Sequence, residues 1–130
     1  MIRPMLYPNG IVVGLTAVGR VRSPQSTIAY VSGGSSAYDL GTRSRFLITL
    51  SGATTELATP GDVQAGDQWT VEVVQDATGS RALTFSSAYD FGAAGTPVLA
   101  ALAAGKRALI SCVAKSSTKI DAVYAGNFGA

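Results

Sequence analysis

The residue types that usually carry out catalysis are scarce in this sequence. It contains no histidine, which is the commonest general base, the usual activator of serine and cysteine nucleophiles and the commonest metal ligand. The single cysteine, Cys112, lies in an alternating strand pattern, where a small buried apolar residue is expected. One cysteine without histidine cannot form a zinc site of the usual kind. The sequence therefore predicts a protein that is not an enzyme and that needs no metal or cofactor.

Four aspartates lie in or beside predicted turns and allow two interpretations. Asp62 and Asp67 flank one turn, Asp76 begins another, and Asp90 lies in a third. Loop ends could bring such carboxylates together as a calcium site or as an acid and base pair. Aspartate is also the residue that accepts hydrogen bonds from the backbone of its own turn. We expect this second, local role.

Aromatic residues are the next candidates for binding, because aromatic faces can stack on a ligand. Trp69 and Phe46 alternate with polar neighbours, which predicts that they are buried in the core. Tyr89 and Phe91 stand beside a run rich in glycine and alanine, and we expect them at the surface. There they would contact a partner or a glycan, or pack on a neighbouring subunit.

Arginines are concentrated in the N-terminal third of the chain. Residues 1–45 contain five arginines and one aspartate, whereas the whole chain has a net charge of only +2. A basic segment of this kind suits docking on an acidic partner surface. Ordinary solvated charges are the alternative interpretation. The arginines predicted to bind a partner are Arg3, Arg20, Arg22 and Arg43.

The elements that must position these residues are short β-strands. Short runs of valine, isoleucine, threonine and aromatic residues are separated by 15 glycines and by other turn formers, which is typical of an all-β protein. Residues 1–44 contain prolines, a linker-like run and only short strand candidates, so they predict an extended N-terminal arm. Residues 45–130 are better patterned and predict the body, a single antiparallel β-sandwich or jelly roll.

Two hairpins are predicted within this body. The first joins a strand that begins at Trp69 to a strand that ends at Phe85, through a polar turn in which Asp76 and Gly79 supply the turn chemistry. The second covers residues 106–125 and turns at residues 116–118.

The segment 98–104 is uninterruptedly apolar and fits either a short helix or a poor strand. Seven residues are too few to cross a bilayer. The N-terminus lacks the pattern of a signal peptide. We expect no contact with a membrane, and a lone cysteine fits synthesis in a reducing cytoplasm.

One stretch of the body is distinctive. Its most distinctive part is the run Gln75-Asp76-Ala77-Thr78-Gly79, which is followed by Arg81, Leu83 and Phe85. Before this run stand Gly61, Gly66 and Trp69. After it come Tyr89, Phe91, Gly95-Thr96-Pro97 and a closing hairpin. The region from Gly61 to Phe128 therefore resembles the C-terminal β-sandwich of tailed-bacteriophage virion proteins, including tail-fibre, tail-spike and capsid-surface proteins. The resemblance implies a structural module, typically trimeric or otherwise symmetric, without a cofactor or catalytic residues.

This resemblance and the basic arm lead to a functional hypothesis. We expect a capsid decoration (cement) protein that binds the major capsid protein and stabilises the assembled shell, with its arm reaching over neighbouring capsid subunits. It would be a symmetric homo-oligomer, such as a trimer, on the capsid surface of the virion. It would be made in the host bacterial cytoplasm and would bind no specific nucleic acid. The alternative is a tail, neck or fibre-tip component of the same virion that binds host glycan.

Overall fold

The computed structural model describes residues 24–41 and 43–129, and nearly all of their regular structure is β-strand. The predicted all-β class is confirmed. The strands are β1 (Gln25–Thr27), β2 (Ser35–Ser36), β3 (Arg45–Leu50), β4 (Thr55–Leu57), β5 (Gln68–Gln75), β6 (Leu83–Phe85), β7 (Tyr89–Asp90), β8 (Arg107–Ser116) and β9 (Lys119–Phe128). Two single 3₁₀ turns, Gly92–Ala94 and Leu99–Ala101, follow β7. No helix in the described part of the chain has the length and apolar character needed to cross a membrane.

The first six strands alternate between two sheets. The strand order is β1-β3-β5-β8-β9-β7 in the larger sheet and β2-β4-β6 in the smaller sheet. β1, β3 and β5 are parallel neighbours, and so are β2, β4 and β6. The chain therefore winds through three successive coils, each of which adds one strand to each sheet.

The predicted antiparallel arrangement is wrong for most of these strand pairs. Among the nine strands, β8 pairs antiparallel with β5 and with β9, whereas β7 joins β9 in parallel. Alternation along a strand determines which side chains face the core, but it carries no information about the direction of the neighbouring strand. That direction follows from the connections, which here cross to the other sheet before the chain returns.

The predicted hairpin from Trp69 to Phe85 is also wrong, because β5 and β6 lie in different sheets. The turn after β5 carries the chain across to the smaller sheet instead of back along β5. Its local chemistry is nevertheless as predicted: Asp76 Oδ1 accepts hydrogen bonds from the N–H groups of Thr78 at 3.1 Å and Gly79 at 3.0 Å. Gly79 has a φ of 72°. A polar turn between two alternating strands is compatible both with a hairpin within one sheet and with a connection that crosses to the other sheet.

The second predicted hairpin is confirmed. β8 and β9 pair antiparallel, with Ile110 opposite Tyr124 and Cys112 opposite Ala122. On its other side β8 pairs with β5, the last of the three parallel strands. The hairpin therefore completes the larger sheet on the side where the parallel coils end.

The inward side chains of both sheets form one hydrophobic core. In β3 the alternating residues Phe46, Ile48 and Leu50 are buried, as their spacing predicts. The smaller sheet contributes Leu57 and Leu83. Each fully buried side chain of this size stabilises the fold by roughly 1.5–3 kcal/mol relative to an exposed position.

Part of the predicted arm belongs to the same two sheets. β1 and β2 pair with β3 and β4, and Ile28 and Leu40 are buried in the core. Residues 24–41 are therefore integrated with the rest of the fold. The prediction of an arm separate from the body remains for residues 1–23, which lie outside the described residues.

Asp76→Asn is expected to make the stability of the protein less sensitive to acid. Hydrogen bonds from Arg81, and then from the N–H groups of Gly79 and Thr78, hold the pKa of Asp76 below its usual value. A carboxylate with a lowered folded-state pKa stabilises the fold above its unfolded-state pKa, about 4, and this contribution is lost as the pH falls through the folded-state pKa. We expect the free energy of unfolding to fall more steeply below about pH 4 for the native chain than for the variant. Urea unfolding at a series of pH values measures this, and two parallel profiles would contradict it.

Candidate interaction surface

Of the four arginines predicted to bind a partner, one lies within the described residues. Arg43 is exposed just before β3, and its backbone N–H donates to the carbonyl of Leu40 at 2.7 Å. Arg3, Arg20 and Arg22 lie outside the described residues. Arg43 is thus accessible to a partner, and its role in binding one stays a prediction.

Tyr89 and Phe91 are buried, which corrects the expectation that both lie at the surface. Their exposed fractions are 8% and 9%. Tyr89 belongs to β7, and its hydroxyl donates to the carbonyl of Ala58 at 2.7 Å. The same hydroxyl lies 2.6 Å from the hydroxyl of Tyr38, which accepts a hydrogen bond from Trp69 Nε1 at 3.0 Å. Because Tyr89 gives its only hydroxyl proton to Ala58, Tyr38 donates to Tyr89.

This relay of hydrogen bonds is structural. Burial raises the pKa of the Tyr38 and Tyr89 hydroxyls above the usual tyrosine value, so both are neutral at physiological pH. Each polar atom of the relay has a partner, which removes the penalty of burying it. The relay links the first described coil, through Tyr38, to β5 and β7. A glycan cannot stack on Tyr89 without disrupting the core.

The ring of Phe91 is held by aromatic neighbours. It packs edge to face on Phe85, with 4.8 Å between ring centroids, and Tyr89 packs on the same ring at 5.6 Å. Gly92 follows with a φ of 63°, a conformation that lets the chain turn immediately after the aromatic residue. The glycine-rich composition correctly indicates a loop here. It does not indicate whether the Phe91 ring, which precedes the loop, points into the core or toward solvent.

Tyr89→Phe is expected to destabilise the protein by about 2 kcal/mol. The substitution keeps the ring but leaves the Ala58 carbonyl and the Tyr38 hydroxyl without their partner, and a buried unsatisfied group costs roughly 1–3 kcal/mol. Denaturant unfolding measures the change. Tyr124→Phe is the matched control, because Tyr124 is only partly buried and packs at the edge of the core; its effect should stay within about 0.5 kcal/mol. Equal effects of the two substitutions would contradict the role of the relay.

Three of the four aspartates, Asp67, Asp76 and Asp90, have the local role that was predicted. Asp67 Oδ2 accepts from the Gln64 N–H at 2.9 Å, and Asp90 Oδ1 accepts from the Gly92 N–H at 2.8 Å. Within residues 24–41 and 43–129, no group of three histidine, cysteine, aspartate or glutamate residues could hold a metal ion. Cys112 is buried as predicted, and burial raises the pKa of its thiol to about 12. A thiol with this pKa is protonated at neutral pH and is a poor nucleophile.

A concave apolar surface lies beside β9, which we call the β9 groove. It has a volume of about 280 Å³ and is lined by Phe91, Ala94, Gly95, Pro97, Ala122, Val123 and Tyr124. One wall is the loop after β7, and the other is the middle of β9. Val123 is 69% exposed. Composition does not reveal this groove, because it forms between a loop and a strand that are far apart in the sequence.

Comparison with known families finds a match over the middle of the chain. Residues 37–105 match the family described as "Putative phage tail fibre C-terminal domain", which covers more than half of the chain. The chain belongs to this family. It is therefore a structural protein of a phage virion, as the resemblance of the central stretch implied. No curated protein and no solved structure gives a significant match.

The family match ends just before β8, so it covers the second and third coils and one wall of the β9 groove. In this member of the tail fibre family, the opposite wall comes from the closing hairpin. The region that resembles virion modules, from Gly61 to Phe128, overlaps the match over residues 61–105.

In this tail fibre domain, the edge of β9 beside the groove is open. The N–H of Ile120 donates across this edge to Ala88 of the β7 segment, at 2.9 Å. Since backbone groups alternate between the two edges of a strand, those of Ala122 and Tyr124 point to the same side. β7 pairs only with Ile120 and Asp121. The parallel register of β7 and β9 also uses the N–H of Ala122, which donates to the carbonyl of Asp90. Within the described part of the chain, no strand pairs with the outward C=O of Ala122 or with the outward N–H and C=O of Tyr124.

Proposed function

We propose that the chain is a non-catalytic structural module of the phage tail, acting as the C-terminal domain of a tail fibre. The observation that carries this proposal is the family match over residues 37–105. The match concerns a tail fibre domain, so it favours the tail over the capsid as the location.

The chemistry of the described residues supports a non-catalytic role. The sequence has no histidine, Cys112 is a buried neutral thiol, and three of the four turn aspartates are engaged with the backbone of their own turns. Instead, the fold has one hydrophobic core, and loops and strand edges lie on its surface. Binding residues are commonly found on such loops.

The location of the protein in purified virions tests this proposal. Heads and tails are separated, and the protein is quantified in each fraction by mass spectrometry. We expect it in the tail fraction at a copy number of a few to a few tens, in line with a symmetric fibre. Hundreds of copies on tailless heads would overturn the tail assignment.

The capsid decoration hypothesis is decided by the same measurement. Under that hypothesis the protein coats heads, binds the major capsid protein, and uses the basic residues Arg3, Arg20, Arg22 and Arg43 for contact. Arg43→Glu should then weaken binding of the purified protein to empty capsid shells. Unchanged binding by this variant would remove Arg43 from the contact.

We also propose that the protein is a symmetric homo-oligomer, as expected for a fibre. Sedimentation equilibrium of the full chain gives its stoichiometry, and a monomer at micromolar concentration would contradict this proposal. Binding to host glycan is tested separately with immobilised host-cell polysaccharide. Exposed residues would have to carry such binding, because Tyr89 and Phe91 are part of the core.

A further inference from the structure

We propose that the open edge of β9 is a docking site for an extended peptide segment of a partner protein, which adds a strand to the larger sheet and inserts an apolar side chain into the β9 groove. This inference goes beyond the proposed function and holds for a tail or a capsid location alike. It rests on the backbone of β9, on the position of the groove and on the charges at one end of the edge.

The backbone of β9 provides the first part of the site. β9 runs from Lys119 to Phe128, but on its outer side β7 covers only Ile120 and Asp121. Among the described residues, the C=O of Ala122 and the N–H and C=O of Tyr124 are left on this side to accept and donate hydrogen bonds. An unpaired edge of this kind is a template for strand addition. Proteins that avoid such pairing place a lysine or a proline at the edge. β9 has neither from Ala122 to Phe128.

The groove lies where a side chain of the added strand would point. Ala122 and Tyr124 face the core side of the sheet, and both line the groove together with Phe91, Ala94 and Pro97. A residue placed beside Tyr124 in an added strand projects its side chain to the same side. Its side chain therefore enters the groove, whose volume of about 280 Å³ accommodates a leucine, methionine or phenylalanine side chain.

The charges at one end of the edge define the chemistry of the peptide further. Asp90 and Asp121 are register neighbours across β7 and β9 and are both exposed. Lys119 Nζ lies 3.9 Å from Asp90 Oδ2, and Asp121 forms no ion pair with any described residue. Asp121 projects to the solvent side of the sheet. A lysine or arginine on the solvent side of the peptide complements it. Asp90 occupies the position beside Asp121, so the basic residue lies beside Val123, directly next to the apolar residue beside Tyr124.

A second groove, beside β6, lacks this combination. It has a volume of about 410 Å³ and is lined by residues 82–85 and 96–100, none of which is charged. Its strand edge is also only three residues long. The β9 edge is the position where an open backbone, an apolar groove and a net negative charge coincide.

The test uses a displayed library of random 12-residue peptides, selected on the immobilised full chain. We expect the selected peptides to share an apolar residue directly adjacent to a lysine or arginine. Their affinity is then measured by fluorescence anisotropy on synthetic peptides. Hydrogen exchange of the bound chain, followed by NMR, should show slowed exchange of the Tyr124 amide, which a side-chain contact alone would not produce.

Two variants test the groove and the charge separately. Ala94→Trp fills the groove and should weaken binding at least tenfold, whereas Ala93→Trp, at an exposed neighbour that does not line the groove, should change it less than twofold. Asp121→Lys should weaken only peptides that carry the basic residue. Thr54→Lys adds a positive charge at an exposed site in the smaller sheet's loop and should have little effect.

Three results would overturn the proposal. They are the absence of any enriched peptide, equal binding of the enriched peptides to the native chain and to both Ala94→Trp and Asp121→Lys, and unchanged exchange of the Tyr124 amide in the complex. An oligomer of the chain that dissociates in Ala94→Trp but not in Ala93→Trp would also overturn it, because the occupant of the edge would then be a second copy.

Discussion

Gln75→Leu is expected to lower the free energy of unfolding by about 4 kcal/mol. Gln75 is 1% exposed, at the end of β5. Its Nε2 donates to the carbonyls of Arg81 and Leu99, both at 2.8 Å, and its Oε1 accepts from the Arg81 N–H at 2.9 Å. Leucine has a similar size, so the variant leaves three backbone groups without partners and creates little cavity. Each buried unsatisfied group costs roughly 1–3 kcal/mol. A loss of this size is a large fraction of the 5–15 kcal/mol that typically stabilises a domain.

The control for this prediction lies on the same strand. Gln68→Leu changes the same residue type at an exposed position of β5, and its effect should stay within about 0.5 kcal/mol. Both are measured by urea unfolding, with thermal unfolding as a second probe. If Gln75→Leu is as stable as Gln68→Leu, Gln75 does not join the segments 81–83 and 99–102 in the way described.

Gly79→Ala is expected to destabilise the protein by about 2–5 kcal/mol. Gly79 has a φ of 72°, which costs an alanine roughly 1–2 kcal/mol. A Cβ at this position would also overlap the backbone nitrogen of Ala104 and lie 2.7 Å from the Ala104 Cα. The neighbouring backbone cannot move freely, because the Ser80 N–H donates to the Leu102 carbonyl at 2.9 Å and the Gly105 N–H donates to the Asp76 carbonyl at 3.1 Å. Overpacking of this kind adds roughly 1–3 kcal/mol.

Gly66→Ala separates the cost of backbone strain at a positive φ from the cost of steric overlap. Gly66 has a φ of 92°, but no atom lies within 4 Å of a Cβ built on it. Its replacement should therefore cost only the backbone strain, about 1–2 kcal/mol. The difference between the two variants in denaturant unfolding measures the close approach of the turn to residues 103–104. Equal losses would show that this close approach contributes nothing.

The sequence predicted burial better than it predicted topology. The alternation of Phe46, Ile48 and Leu50 identified the inward face of β3, because a period of two follows from strand geometry alone. The same pattern could not show that β5 leaves the larger sheet after Gln75. Both candidate connections bury the same faces of β5 and β6, and they differ only in long-range pairing. The parallel coils therefore appear only in the structure.

The sequence predicted the candidate site only in part. Glycines near Tyr89 and Phe91 correctly predicted a loop, yet both rings turn into the core, where Ala58, Tyr38 and Phe85 hold them. The β9 groove depends on the packing of that loop against a strand about 30 residues further along the chain. No local pattern encodes such a contact. The family could be inferred from the motif around Gln75, because that motif is continuous in the sequence.

The position of β8 also has a consequence for the growing chain during translation. β5 has its partner β3 on one side as soon as it is made, but its other edge must wait for β8, which ends about 40 residues later. At about 5–20 residues per second, the ribosome needs roughly 2–8 s to supply those residues. During this interval the nascent chain presents an unpaired edge of eight residues that is rich in valine. Nascent chains of this protein are therefore most exposed to aggregation between the synthesis of β5 and that of β8.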